Sequence, residues 1–249
     1  MKRAHFLSCC VVAVFVHTAA AQTREPLSFE PGGRDACAKA VQMPVPGKGE
    51  NSRKFDLACA QRDLAIEKTE FDRLRKAMEK VGPEQRVAFN ALMVTFSAFR
   101  DLHAADATCR IGNGCGDMQT SEQARLNRDF LAMAEGLASF PSFTADDLAR
   151  DDATLNAVYQ KALALLPADC AAANYDCMSQ GTFRETQRAW IRYRDAWITF
   201  SGLRWAQVTE DSWRTYLTRQ RAQQIEETFG VAATIPAATR PETAKNHVN

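Results

Sequence analysis

Six cysteines, two carboxylate pairs, one histidine and two Arg-Asp dipeptides are the side chains of this 249-residue sequence whose type and spacing suit chemistry. Cys37, Cys59, Cys109, Cys115, Cys170 and Cys177 remain once an N-terminal leader is set aside. An even number in an exported chain reads as disulfide chemistry, and six cysteines allow fifteen pairings. Sequence order favours the local set 37–59, 109–115 and 170–177, which closes loops of 23, 7 and 8 residues. On a chain-entropy model the first contributes about 3.4 kcal/mol and each small ring about 2.4 kcal/mol. Asp146-Asp147 and Asp151-Asp152 are carboxylate pairs of the kind a glycosidase uses. They stand at a helix start, where acidic side chains complement the macrodipole, and that role is favoured.

Other catalytic arrangements find no support. The sequence has no Gly-x-Ser-x-Gly elbow and no Cys with a nearby His. Nothing marks a strand before the Gly-rich CRIGNGCG at 109–116, as a phosphate loop requires. Beyond the leader only His103 and His247 are available to a metal, and the cysteines are better explained as disulfides. No catalytic residue, cofactor or metal is therefore expected, and the chain does not read as an enzyme. Arg100-Asp101 and Arg194-Asp195 each follow an aromatic pair. They suit either a recognition hot spot or a packing role, and recurrence beside core aromatics favours packing.

These residues are carried by helices. Phe183–Gln207 holds Trp190, Tyr193, Trp197 and Phe200 at steps of three, four and three, which puts four rings on one face of a helix. Arg184, Glu185, Arg188 and Arg192 fall mostly off that stripe, so the opposite face is basic and faces water. The stripe is expected to be core rather than a sugar platform, with Trp205 and Trp213 more exposed than Trp190. Further helices are expected over 56–81, 84–107, from a cap at Thr120 or Ser121 to about 139, over 144–166, and over 210–229 behind a Thr209 cap. Leu57, Leu64, Phe71, Leu74 and Met78 form the buried stripe expected of the first, and Phe89, Leu92, Phe96, Phe99 and His103 that of the second. The fold class is all-α.

Residues 1–21 read as a signal peptide. Lys2 and Arg3 precede an apolar run from Phe6 to Val16, and Ala19–Ala21 suits cleavage before Gln22. That run is too short to span a bilayer, and no other is long enough, so the chain is expected to be exported. Loss of Lys2 and Arg3 takes the net charge from +1 to −1, which leaves no electrostatic footprint for nucleic acid. Residues 22–36 read as an extended lead-in and 231–249 as a disordered tail.

The chain also reads as a repeat. Phe96-Ser-Ala-Phe-Arg-Asp101 aligns with Trp190-Ile-Arg-Tyr-Arg-Asp195, and Phe71-Asp72 with Leu155-Asn156. Two tandem units of about three helices each, 22–140 and 141–230, are expected. The first is the more diverged, with Met93 where the second has Gln187.

The second unit resembles the LprI-type lysozyme inhibitor family. Asp152, Leu155, Asn156 and Tyr159 match its Asp-x-x-Leu-Asn-x-x-Tyr run, and Gln187, Trp190, Tyr193, Arg194 and Asp195 match its Gln-x-x-Trp-x-x-Tyr-Arg-Asp helix. The likeness covers about Asp151–Glu227. It implies a small, cysteine-containing helical domain of the bacterial envelope, in which these nine residues have structural or binding roles. It also supports a 37–59 disulfide, since members carry two cysteines ahead of the first conserved helix. It implies a non-catalytic protein that binds c-type lysozyme. By position and rigidity alone, the 109–116 and 170–177 loops are candidate contacts. The alternative is a general periplasmic interaction or structural module with another envelope protein or cell-wall partner.

Overall fold

The computed structural model describes residues 32–47, 52–108, 115–135, 140–170 and 177–232, less the side chains of 115 and 117. Seven helices run through them: α1 (Gly33–Val41), α2 (Arg53–Met78), α3 (Pro83–Thr108), α4 (Cys115–Glu135), α5 (Ala145–Ala164), α6 (Gln180–Arg204) and α7 (Glu210–Phe229). There is no strand among the described residues. The expected leader and tail, and the 109–115 disulfide, lie outside them.

Local chemistry fixes most boundaries. Thr144 caps α5 through a capping box, accepting from the Asp147 amide at 3.2 Å while Asp147 accepts from the Thr144 amide at 2.9 Å. Those bonds, with Arg150, hold the exposed Asp147 carboxyl at about 2. Ser179 and Thr182 make the same box at α6, so that helix starts at Gln180, before its first aromatic residue. Thr209 caps α7 as expected, and Gly230 ends it at a positive φ of 63°.

Four expectations need correction. Residues 33–36 belong to α1 rather than to an extended lead-in. Gly32 turns the chain at φ 81°, and the helix then seats Cys37 against Cys59. α4 begins at Cys115, and the Thr120 hydroxyl donates to the Gly116 carbonyl at 2.9 Å inside the helix instead of capping it. α5 ends at Ala164 and α6 at Arg204. On α2, Leu57, Leu64 and Leu74 are only half-buried, and the fully buried positions include Asp63 and Glu67.

α3 and α6 pack along one another at the centre. The Gln85 side chain donates to the Leu203 carbonyl, and Tyr193 stacks on Phe99 with ring centroids 5.5 Å apart. On one flank α4 packs on both α2 and α3; on the other, α7 packs on both α5 and α6. One continuous core joins the halves, from Phe71, Phe96 and Phe130 to Trp197, Trp213 and Phe229. Burial recurs between the halves. Phe89, Leu92, Phe96, Phe99, His103 and Asp106 are buried, and so is the residue 94 positions after each. Leu126, Asn127, Phe130 and Leu131 of α4 relate in the same way to Leu217, Thr218, Arg221 and Ala222 of α7, 91 positions on.

α1 stands on a satellite core of Cys37, Phe55 and Cys59, with the Arg34 guanidinium 5.0 Å above the Phe55 ring. The Cys37–Cys59 and Cys170–Cys177 disulfides are both formed. Because the satellite is separate from the main core, the Cys37→Ser/Cys59→Ser variant is expected to release α1 and leave the six remaining helices folded. Hydrogen exchange checks this: protection should vanish over 33–41 and persist in α3 and α6. The loss of stability should not exceed the ~3.4 kcal/mol of the loop-closure model.

Candidate functional site

A buried polar network joins four helices, and its centre is Arg221 of α7. Leu217, Arg221 and Ile225 follow at steps of four, so they share the face of α7 that packs inward. Arg221 is 1% exposed. Its Nε donates to Gln187 Oε1 of α6 at 3.1 Å, and its Nη1 lies 3.0 Å from His103 Nδ1 of α3. Its guanidinium carbon stands 5.3 Å from the Phe99 ring centroid. A guanidinium can only donate, so Nδ1 accepts and the His103 proton sits on Nε2. Nε2 faces Glu122 Oε1 of α4 at 3.2 Å, off the hydrogen-bonding line. Arg125 clasps the Glu122 carboxylate with both Nε, at 2.9 Å, and Nη2, at 2.6 Å.

Burial sets the electrostatics. It lowers His103 to about 4 against the pull of Glu122, so the imidazole is neutral at pH 7. Burial also pushes Glu122 up, but His103 and Arg125 outweigh it and hold the carboxyl at about 2. Arg221 is brought down to about 10 by burial, with Asp106 opposing. Asp106 is raised by burial to about 6, with Thr186 and Arg221 pulling the other way. Its Oδ2, Thr186 Oγ1 and Arg221 Nη2 are buried without a hydrogen-bond partner.

Asp106 therefore makes a testable contribution to pH dependence. The folded state holds its proton up to about pH 6, whereas the unfolded chain releases it near 3.8. Stability from this group is present below pH 3.8 and is lost as pH rises through 6. Two pKa units correspond to about 3 kcal/mol. Asp106→Asn is expected to stabilise the protein above pH 6 and to have little effect near pH 4, measured by thermal melts across that range.

The network reaches the surface in a cleft of about 570 Å³ between α1, α2, α3, α4 and α7. Glu122, Arg125, Gln224 and Glu227 line one side, and Arg34 and Asp56 the other. Arg34 pairs with Asp56 at 3.3 Å, and Gln224 accepts from the buried Arg221 at 3.4 Å. The lining is a paired-charge surface suited to recognising polar groups. Among the described residues no group of three or more His, Cys, Asp or Glu could hold a metal.

The nine motif residues sit on α5 and α6. Leu155, Trp190 and Tyr193 are buried. Tyr159, half-buried, stacks on Phe183 at 5.1 Å. Gln187 belongs to the network described above. Asp152 accepts from the Thr218 hydroxyl at 3.3 Å, and Asn156 is exposed on α5. Arg194 lies 5.2 Å from the Trp190 centroid and bonds Asp195 at 2.9 Å, as Arg100 lies 5.9 Å from Phe96 and pairs with Asp101 at 2.8 Å. Asp151 does more than favour a helix start: it is buried and pairs with Arg219 of α7 at 2.8 Å. Trp205 is half-buried as expected, but Trp213 is 2% exposed, because Phe140 covers it at 4.1 Å. Cys170 and Cys177 close the loop ahead of α6, while the 109–116 loop, apart from the backbone of 115 and 116, lies outside the described residues.

These features define a class: an all-helical, disulfide-tied domain whose polar side chains brace helices and line a polar cleft. Residues 132–225, from the last turn of α4 into α7, match the model of the family described as lysozyme inhibitor LprI, and this segment is LprI-like. No curated protein and no solved structure matches the chain.

Proposed function

We propose that this protein is exported, has no catalytic centre, and works by binding another protein, a lysozyme in the first place, whose cleft it obstructs. The observation that carries this reading is the match of 132–225 to an inhibitor family. A rigid, disulfide-braced helical surface is what occluding a cleft requires, since pre-organisation spares the ordering cost of binding. The test is lysis of bacterial cell walls by c-type lysozyme in the presence of residues 22–249, with and without reductant. A dose-dependent fall in lysis rate is expected, and no inhibition at large molar excess would overturn the reading.

A second reading, a general envelope interaction module, is favoured by one observation. Most of the first half lies outside the matched segment yet supplies α3 to the central packing. We also infer that the halves are copies of one helical unit. The recurring burial and the paired Arg100-Asp101 and Arg194-Asp195 geometries support this.

A further inference from the structure

We propose that the outward face of α6 is the docking surface, with Arg184, Arg188 and Arg192 forming a ladder of guanidiniums that engages the cleft carboxylates of a lysozyme. This rests on the inhibitor reading above and names the surface that would serve it.

All three arginines are exposed, one turn apart, on a helix whose other face is locked into the core. Steps of four place them in a line with a rise of about 6 Å each. Several arginines elsewhere are paired, Arg73 with Glu70, Arg125 with Glu122, Arg150 with Asp147 and Arg214 with Glu210, whereas Arg86 and Arg204 are exposed and without an ion pair among the described residues but stand singly rather than in a row. Among the described residues no carboxylate lies within ion-pair distance of the ladder, and the nearest polar contact is Arg184 Nη2 to Gln180 Oε1 at 3.1 Å. Glu185, on the same turn, pairs with none of them. Like charges at this spacing repel one another. Three aligned and engaged in no ion pair among the described residues are thus poised for an external carboxylate.

The neighbours fit an interface. Ile191, between the second and third rungs, is 38% exposed. Tyr159 of α5 is half-buried and stacks at 5.1 Å on Phe183, the residue before Arg184. Arg and Tyr beside an apolar contact are the composition of binding hot spots. Guanidiniums grip carboxylates in bidentate fashion. The two catalytic carboxylates of a retaining glycosidase stand about 5–5.5 Å apart, close to the step of the ladder.

The experiment compares the full chain lacking residues 1–21 with R184Q/R188Q/R192Q and with R86Q/R204Q, which removes two exposed arginines off the ladder. Each is assayed for binding to immobilised c-type lysozyme, for its melting temperature, and for binding to vesicles rich in anionic lipid. The triple variant is expected to lose at least about tenfold in lysozyme affinity with its melt unchanged, while the control variant binds as the parent does. If parent and triple variant bind lysozyme equally, the ladder is overturned and the inhibitor reading stands. If the parent does not bind lysozyme, both fall. A triple variant whose melt drops along with its affinity assigns the arginines to stability and overturns the proposal. So does ladder-dependent binding to vesicles without binding to lysozyme, which would assign the surface to a membrane.

Discussion

Trp197→Ala is expected to destabilise the protein by about 3–5 kcal/mol, the usual range for emptying a buried aromatic site. Its ring is 0% exposed and meets five others: Phe130 at 5.4 Å, Trp213 at 5.5 Å, Phe200 at 6.2 Å, Tyr193 at 6.3 Å and Trp205 at 6.4 Å. Phe130 belongs to the first half and Trp213 to the last helix, so one truncation loosens both flanks. At about 2–4 °C per kcal/mol for a chain of this size, the midpoint should fall by about 6–20 °C in a far-ultraviolet melt. Trp197→Phe should recover much of the loss, since the indole Nε1 it removes has no hydrogen-bond partner. A midpoint within a degree of the parent for Trp197→Ala would show that the six rings are not a shared core.

Arg221→Ala is the second large effect. Leaving a buried acceptor without its donor typically costs about 1–3 kcal/mol, and this substitution strands three of them. Here His103 Nδ1, Gln187 Oε1 and Gln224 Oε1 would all lose a donor. His103→Leu/Arg221→Met should lose less than His103→Leu and Arg221→Met together, with a coupling energy of about 0.5–3 kcal/mol. Urea unfolding of the four proteins measures it. Simple additivity would mean that Arg221 and His103 stabilise the fold independently.

What could be read in advance follows from which signals are local. The aromatic stripe of α6, the Thr144 and Thr209 caps and the Pro breaks depend on residues a few positions apart, and they placed most helices and the face that each of α3 and α6 buries. The start of α6 was legible too, in Ser179 and Thr182, but was overshadowed by the first aromatic residue. Arg221 was harder. Only its spacing from Leu217 and Ile225 marks it as inward-facing, and an arginine at such a position is normally read as solvated. Its partners lie on three other helices, at separations no local pattern encodes. Asp63 and Glu67 escaped for the same reason, since a buried carboxylate is recognised by what surrounds it. In each paired Arg-Asp step the Arg stands over an aromatic ring of its own helix, a contact at a separation of four residues.

The central pairing of α3 with α6 has a consequence for how the chain comes into being. Phe96 and Phe99 meet Tyr193, about a hundred residues later. At synthesis rates of about 5–20 residues per second, α3 waits on the order of 5–20 s for that partner. During this interval Phe89, Phe96 and Phe99 stand on a nascent chain with one side uncovered, a sticky surface that a holding chaperone would have to shield.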